Sequence, residues 1–335
     1  MKAKTIFRIT GLALAAFVLV SNGLTFAISA VANNNAQVMA FLNGNQMIYL
    51  LIDYACVYGI GFLVYWLVIR KLPHAVPGDQ TFTFGRLFRC FCIAYALAIS
   101  SNVIATAISL ITGNQTNISA RIADLVDNGG IAIWVIMIIV APAVEELIFR
   151  KFLIDRTKRF GEKYAIIFSA VCFGLFHMNL QQFIYAMAIG MVFGYIYSRS
   201  GKIHYTMIMH SIINAIGYLV SLVAGPMLDS MEDMDISSLL NGDGSSLASL
   251  DPGSLVLLWV VEQAILVIIA LGIVFFIREV RKVRFDYSSP DCLQKGKVFS
   301  TIYLNIGVIL FVLLCLAGIV ISFLGGLQQV AGNMS

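Results

Sequence analysis

Charge is what this sequence has least of. Asp, Glu, Lys and Arg together make up 12% of its 335 residues against 59% hydrophobic, too little polar surface to coat a soluble globule. Histidine is scarce, with four in the chain. None of the six cysteines falls in a segment expected on the outer side of a membrane, which excludes a disulfide framework. There is no repeat of fixed period, no low-complexity tract and no separate soluble domain. The net charge of +4 is not a nucleic-acid signal, because the basic residues are spread through short loops rather than gathered on one face, so no nucleic-acid partner is expected.

What the chain does have is long apolar runs. A helix needs roughly 20 apolar residues to cross a hydrocarbon core about 30 Å thick. Such runs lie at 9–32, 47–69, 90–112, 130–153, 164–179, 181–198, 204–225, 255–277 and 299–325. They predict an all-α, polytopic membrane helix bundle of about nine transmembrane helices, one domain over 1–335, with the lipid bilayer as its solvent. Lys2 to Arg8, Arg70 to Arg89, Arg150 to Lys163, Arg199 with Lys202, and Arg278 to Lys297 fall on one side of that arrangement. Of 22 Lys and Arg, only Arg121 falls on the other. The positive-inside rule then sets the N-terminus in the cytoplasm and the C-terminus outside, in what is expected to be a bacterial cell membrane. The stretch 226–254, with Asp229, Glu232, Asp233, Asp235, Asp243 and Asp251 and no basic residue, reads as an acidic outer loop. The first run also fits a signal peptide ending at Ala30-Val31-Ala32. Its length exceeds the roughly 7–15 apolar residues usual for a signal and favours an uncleaved anchor; cleavage would leave eight helices.

Ionised groups at mid-bilayer cost roughly 2.5 to 3.5 kcal/mol on insertion scales, so intramembrane acids are candidate functional residues. They are Asp53, Glu145, Glu146 and Glu262. Glu146 and Arg150, four apart, meet on one helical face and can pair, which lets Arg150 snorkel toward the inside interface. Glu145, rotated about 100° from Glu146, has no partner at helical spacing and must find one on another helix. It is the carboxylate free to take a proton from water. The bland alternative is that these residues only orient a helix end. Phe173 and His177 share a face at spacing four, as do His210 and Asn214. The first histidine also fits a packing role, and the second pair also fits polar adhesion between helices. The pair His210 and Asn214 can donate hydrogen bonds to a developing oxyanion. Counted from the expected inside ends, Glu145 lies 16 residues deep, His177 14, Asn214 12 and His210 8, a spread of roughly 12 Å with His210 the outlier. Asp53 and Glu262 read as hydrogen bonders between helices, and His74 and His204 as residues of the inside ends. Sequons begin at Asn114 and Asn117.

Taken in order, Glu-Glu-x-x-x-Arg at Glu145, Glu146 and Arg150, Phe-x-x-x-His at Phe173 and His177, and His-x-x-x-Asn at His210 and Asn214 resemble the CPBP family. That family includes type II CAAX prenyl endopeptidases and bacteriocin-processing or immunity proteins. The run Ile189 to Arg199, with Gly190 and Gly194, is similar to the family's small-residue helix. The resemblance covers 145–214 and places catalytic core helices within 130–225. It implies an intramembrane endopeptidase acting on a membrane-associated peptide or protein. Glu145 would activate water with His177, His210 and Asn214 would hold the oxyanion, Glu146 with Arg150 would be a supporting ion pair, and Phe173 would pack beneath His177. Members have been called metalloproteases, and a zinc ion would draw on Glu145, His177 and His210. The chain has no His-Glu-x-x-His, so metal-free water activation is favoured and no cofactor is expected. A serine mechanism lacks its Gly-x-Ser-Gly, and an aspartyl mechanism has only Asp53. Two other classes remain at this stage: a non-catalytic membrane scaffold or immunity protein, and a proton-coupled transporter relaying through Asp53, Glu145, Glu146 and Glu262.

Overall fold

The structure is a computed structural model and describes residues 1–75, 78–112, 130–232 and 252–333. Among these the long elements are α1 (Ala3–Asn34), α2 (Gln46–Ile69), α3 (Phe84–Thr112), α4 (Gly130–Phe160), α5 (Glu162–Phe176), α6 (Leu180–Ser200), α7 (Ile203–Glu232), α8 (Pro252–Glu279) and α9 (Ile306–Asn333). The described residues contain no strand, and the chain is the all-α membrane bundle its apolar runs predict.

Eight of these helices are long and apolar enough to cross a membrane; the exception is α5. At 15 residues it is about 22 Å long, short of a hydrocarbon core. The fifth expected span therefore does not cross lipid unaided. Most of its residues are buried against neighbouring helices, so its length answers to protein packing rather than to bilayer thickness. The expected acidic loop is also shorter than its composition suggested, since α7 runs on to Glu232 and α8 begins at Pro252. The remaining stretch, 233–251, lies outside the described residues, as do Arg121 and both sequons.

The segments with most of the basic residues converge at one end of the bundle. Arg159 donates to the Met1 carbonyl (3.0 Å) and Gly78 N–H to the Ser198 carbonyl (3.0 Å). Arg199 pairs with Glu162 (2.8 Å), whose other contacts are Ser198 Oγ (2.8 Å) and the Asp286 N–H (2.7 Å). Five segments far apart in sequence thus share one end, as the charge distribution requires.

Two apolar clusters fill the interior. One joins α1, α2, α4, α5 and α9 through Phe7, Phe17, Tyr65, Phe149, Phe168, Phe173 and Phe311. The other joins α3, α6 and α7 through Ala94, Ile189, Phe193 and Met209. Tyr185 packs on both. The seam between them is where the polar residues collect.

Candidate active site

α4 is not a uniform helix. It is π-helical over Ile136–Val140, α-helical over Ala141–Glu146 and π-helical again over Leu147–Ile154. Pro142 has no N–H to give the preceding turn and its ring crowds it, so the ladder must shift where the proline enters. Carbonyls in the two π segments receive side-chain donors: Asn214 Nδ2 to Met137 O (2.9 Å), Tyr65 Oη to Ile148 O (3.2 Å) and Ser169 Oγ to Phe149 O (2.7 Å). In a water-poor interior such bonds replace what solvent would supply. The α-helical stretch between them presents Glu145 and Glu146, both buried.

Glu146 and Arg150 pair as their spacing predicts, Oε2 to Nε at 3.1 Å. Arg150 does not snorkel, however. It is 0% exposed, and its guanidinium lies 4.2 Å from the Phe173 ring and 5.7 Å from Phe193, one phenylalanine from each apolar cluster. The reason is tertiary: α5 and α6 close over this turn of α4. Cation–π attraction between desolvated partners, about 2 kcal/mol, offsets part of the loss of water. Gly190 lets α6 come this near, because a Cβ there would stand 3.0 Å from Ala170 Cα and 3.4 Å from Phe173.

The second oxygen of Glu146 holds His210, with Nδ1 at 3.0 Å from Oε1. A carboxylate already paired with Arg150 accepts, so His210 carries hydrogen on Nδ1. Its Nε2 faces Glu145 Oε2 at 3.8 Å, beyond a direct hydrogen bond, so a water could reach both atoms only from beside the line that joins them. The depth outlier of the sequence is thus central to the cluster.

His177 is not inside a helix. α5 ends at Phe176, His177 caps it, and Met178 follows at φ +50°. A left-handed turn in a non-glycine residue costs roughly 1–2 kcal/mol and is held here by packing. Met178 lies against Gly318 of α9, where a Cβ would meet its sulfur at 2.6 Å. His177 Nδ1 donates to the Phe173 carbonyl (2.8 Å), which leaves Nε2 as the free nitrogen. Phe173 stands edge-on to His177 (5.0 Å between centroids) and to His210 (5.8 Å), so its packing role extends to both histidines.

Glu145 finds its partner on another helix, as its isolation requires, and the partner is Tyr58. The phenol donates to Oε1 at 2.8 Å from a π-helical segment of α2, Ala55–Gly61, with Tyr54 stacked on it at 5.9 Å. Sequence reasoning missed Tyr58, Tyr65 and Phe193. Tyrosines at spacing four within an apolar run were the available signal for the first. Asp53 is bonded to Thr25 of α1 (2.6 Å), the interhelical role expected of it. Glu262 is exposed on α8 and has no hydrogen-bond or ion-pair partner among the described residues. His74 and His204 are exposed and take no part in the cluster.

Among the described residues no group of three His, Cys, Asp or Glu is placed so as to hold a metal ion, Glu145, His177 and His210 included.

Residues 127–216 match the family model described as type II CAAX prenyl endopeptidase Rce1-like. A curated relative, the "Putative membrane peptidase YdiL" of Bacillus subtilis (strain 168), is 26% identical over 168 residues, 48% of this chain and 67% of its own length. No solved structure matches. On the ordered motifs and these two matches, residues 127–216 are similar to the CPBP family, and the chain is an integral membrane protein.

Proposed function

We propose that this chain is an intramembrane endopeptidase in which Glu145 activates water against a peptide bond of a membrane-embedded substrate. Kinship supports the peptidase class; the observation that carries the chemistry is the 3.8 Å gap between Glu145 Oε2 and His210 Nε2. Oε1 is occupied by Tyr58, so Oε2 is the oxygen available to a water seated beside that pair, within hydrogen-bond reach of both atoms. His177, with Nδ1–H committed to a carbonyl, also carries its lone pair on Nε2, so the two hydrogens of the water go to Oε2 and to one of the two histidine nitrogens.

In this reading Oε2 removes a proton as the water oxygen bonds to the scissile carbonyl carbon, and the carbonyl electron pair moves onto its oxygen. Asn214 has one Nδ2 hydrogen on Met137 O and a second free to meet that oxyanion. His210 can donate from Nε2 only as the imidazolium, because Nδ1–H already serves Glu146. Collapse of the adduct breaks the C–N bond, and the Glu145 carboxyl returns the proton to the leaving amine. The products are a carboxylic acid and an amine, which pass the acid proton between them to end as carboxylate and ammonium, and no metal takes part in any step.

The test is wild-type protein in proteoliposomes containing a library of membrane-spanning peptides, with new termini read by mass spectrometry. Cleavage by wild type that disappears in Glu145→Gln and His177→Ala is expected. Turnover at the wild-type rate in either variant, or no cleavage by wild type, overturns the proposal.

A further inference from the structure

The family match begins at residue 127, yet among the described residues the one hydrogen bond to the Glu145 carboxylate comes from residue 58. We propose that Tyr58 is a positioning residue for Glu145, holding one carboxylate oxygen so that the other faces the histidines. The inference rests on the peptidase reading above and adds a helix to its machinery.

Three features of α2 carry it. First, the contact is short and joins residues 87 apart, 2.8 Å between the phenol and Oε1. A carboxylate in a helix can rotate about its last torsion almost freely. One fixed donor removes that freedom and divides the two oxygens into one that is occupied and one that is open. Second, the helix departs from α geometry over Ala55–Gly61, the segment that carries Tyr58, and π turns concentrate at functional sites. Third, Tyr54 stacks on Tyr58 with rings 10° from parallel, which limits swing of the phenol. Seven residues on, Tyr65 makes the same kind of bond to the same partner helix, but to the backbone carbonyl of Ile148 (3.2 Å). The two tyrosines fasten α2 to α4 alike; Tyr58 alone does so through a proposed catalytic group.

That difference supplies the control. Tyr58→Phe and Tyr65→Phe each remove one hydroxyl and one α2–α4 hydrogen bond. The readouts are kcat and KM on the library peptide that wild type cleaves fastest, together with the melting midpoint in detergent. Tyr58→Phe is expected to lower kcat about 10- to 100-fold with KM within twofold of wild type, as for loss of orientation at the reacting centre. Tyr65→Phe is expected to keep kcat within twofold while shifting the melting midpoint at least as far. Wild-type kcat in Tyr58→Phe, or equal losses in the two variants, overturns the inference. Glu145→Gln run alongside separates the two levels. If it cleaves at the wild-type rate, the peptidase reading falls; if it is inactive while Tyr58→Phe is normal, only the role of Tyr58 falls.

Discussion

Glu146 and His210 are 64 residues apart in sequence and 3.0 Å apart in space. That contact ties α4 to α7 and connects a chain from Arg150 through Glu146 to His210, whose Nε2 stops 3.8 Å short of Glu145 Oε2. Adjacent glutamates thus acquire different work. Glu146 has both oxygens spent on structure, whereas Glu145 keeps one open.

Glu145→Gln and Glu146→Ala are therefore expected to fail in different ways. Gln keeps the shape of Glu145 and an acceptor for Tyr58, so melting should stay near wild type while cleavage is lost. Ala at 146 leaves Arg150 buried without its counter-charge, a loss of roughly 3–5 kcal/mol for breaking a buried pair. Thermal melting of the two proteins in the same detergent distinguishes them.

Removing the pair as a unit should cost less than breaking it. The double variant Glu146→Leu with Arg150→Met is expected to melt well above Glu146→Ala, because no uncompensated charge remains. It should still be inactive, since His210 loses the acceptor that orients it. A double variant no more stable than the single one would contradict this account of Arg150.

Asn214→Leu should separate kinetics from stability. Its bond to Met137 O is one interhelical hydrogen bond, worth about 0.6 kcal/mol on average in membrane proteins and at most about 1.7. An oxyanion donor is worth about 10²- to 10³-fold in kcat. The expected outcome is a rate loss far larger than the shift in melting, measured on the same preparation.

Gly318 lies on α9, outside the matched segment, yet a larger residue there would displace Met178 and with it His177. Gly318→Val is expected to lower kcat by tenfold or more, with a moderate fall in melting temperature. Gly325→Val on the same helix, where a Cβ meets nothing within 4 Å, should leave kcat unchanged.

By itself the sequence determined the membrane bundle, the shared basic end and the local pairs Glu146–Arg150 and Phe173–His177. Each follows from a rule that one helix or one bilayer imposes: about 20 apolar residues per crossing, cations on one side, side chains four apart on one face. The same local logic failed where a neighbour intervened. Arg150 has the reach to snorkel, but Phe173 and Phe193 close over it. His177 carries the spacing of a helical residue, but α5 stops at Phe176 because the chain turns back there into α6.

Only the tertiary structure decided that Tyr58 meets Glu145, that His210 rather than solvent meets Glu146, and that Asn214 is bonded to Met137. These partners lie 87, 64 and 77 residues apart. Which faces meet over such separations depends on helix rotation, and the π segments of α2 and α4 change that rotation where the site lies. Carbonyls of the α4 π segments take hydrogen bonds from Asn214 of α7, Tyr65 of α2 and Ser169 of α5, so α4 alone does not carry the information that places them.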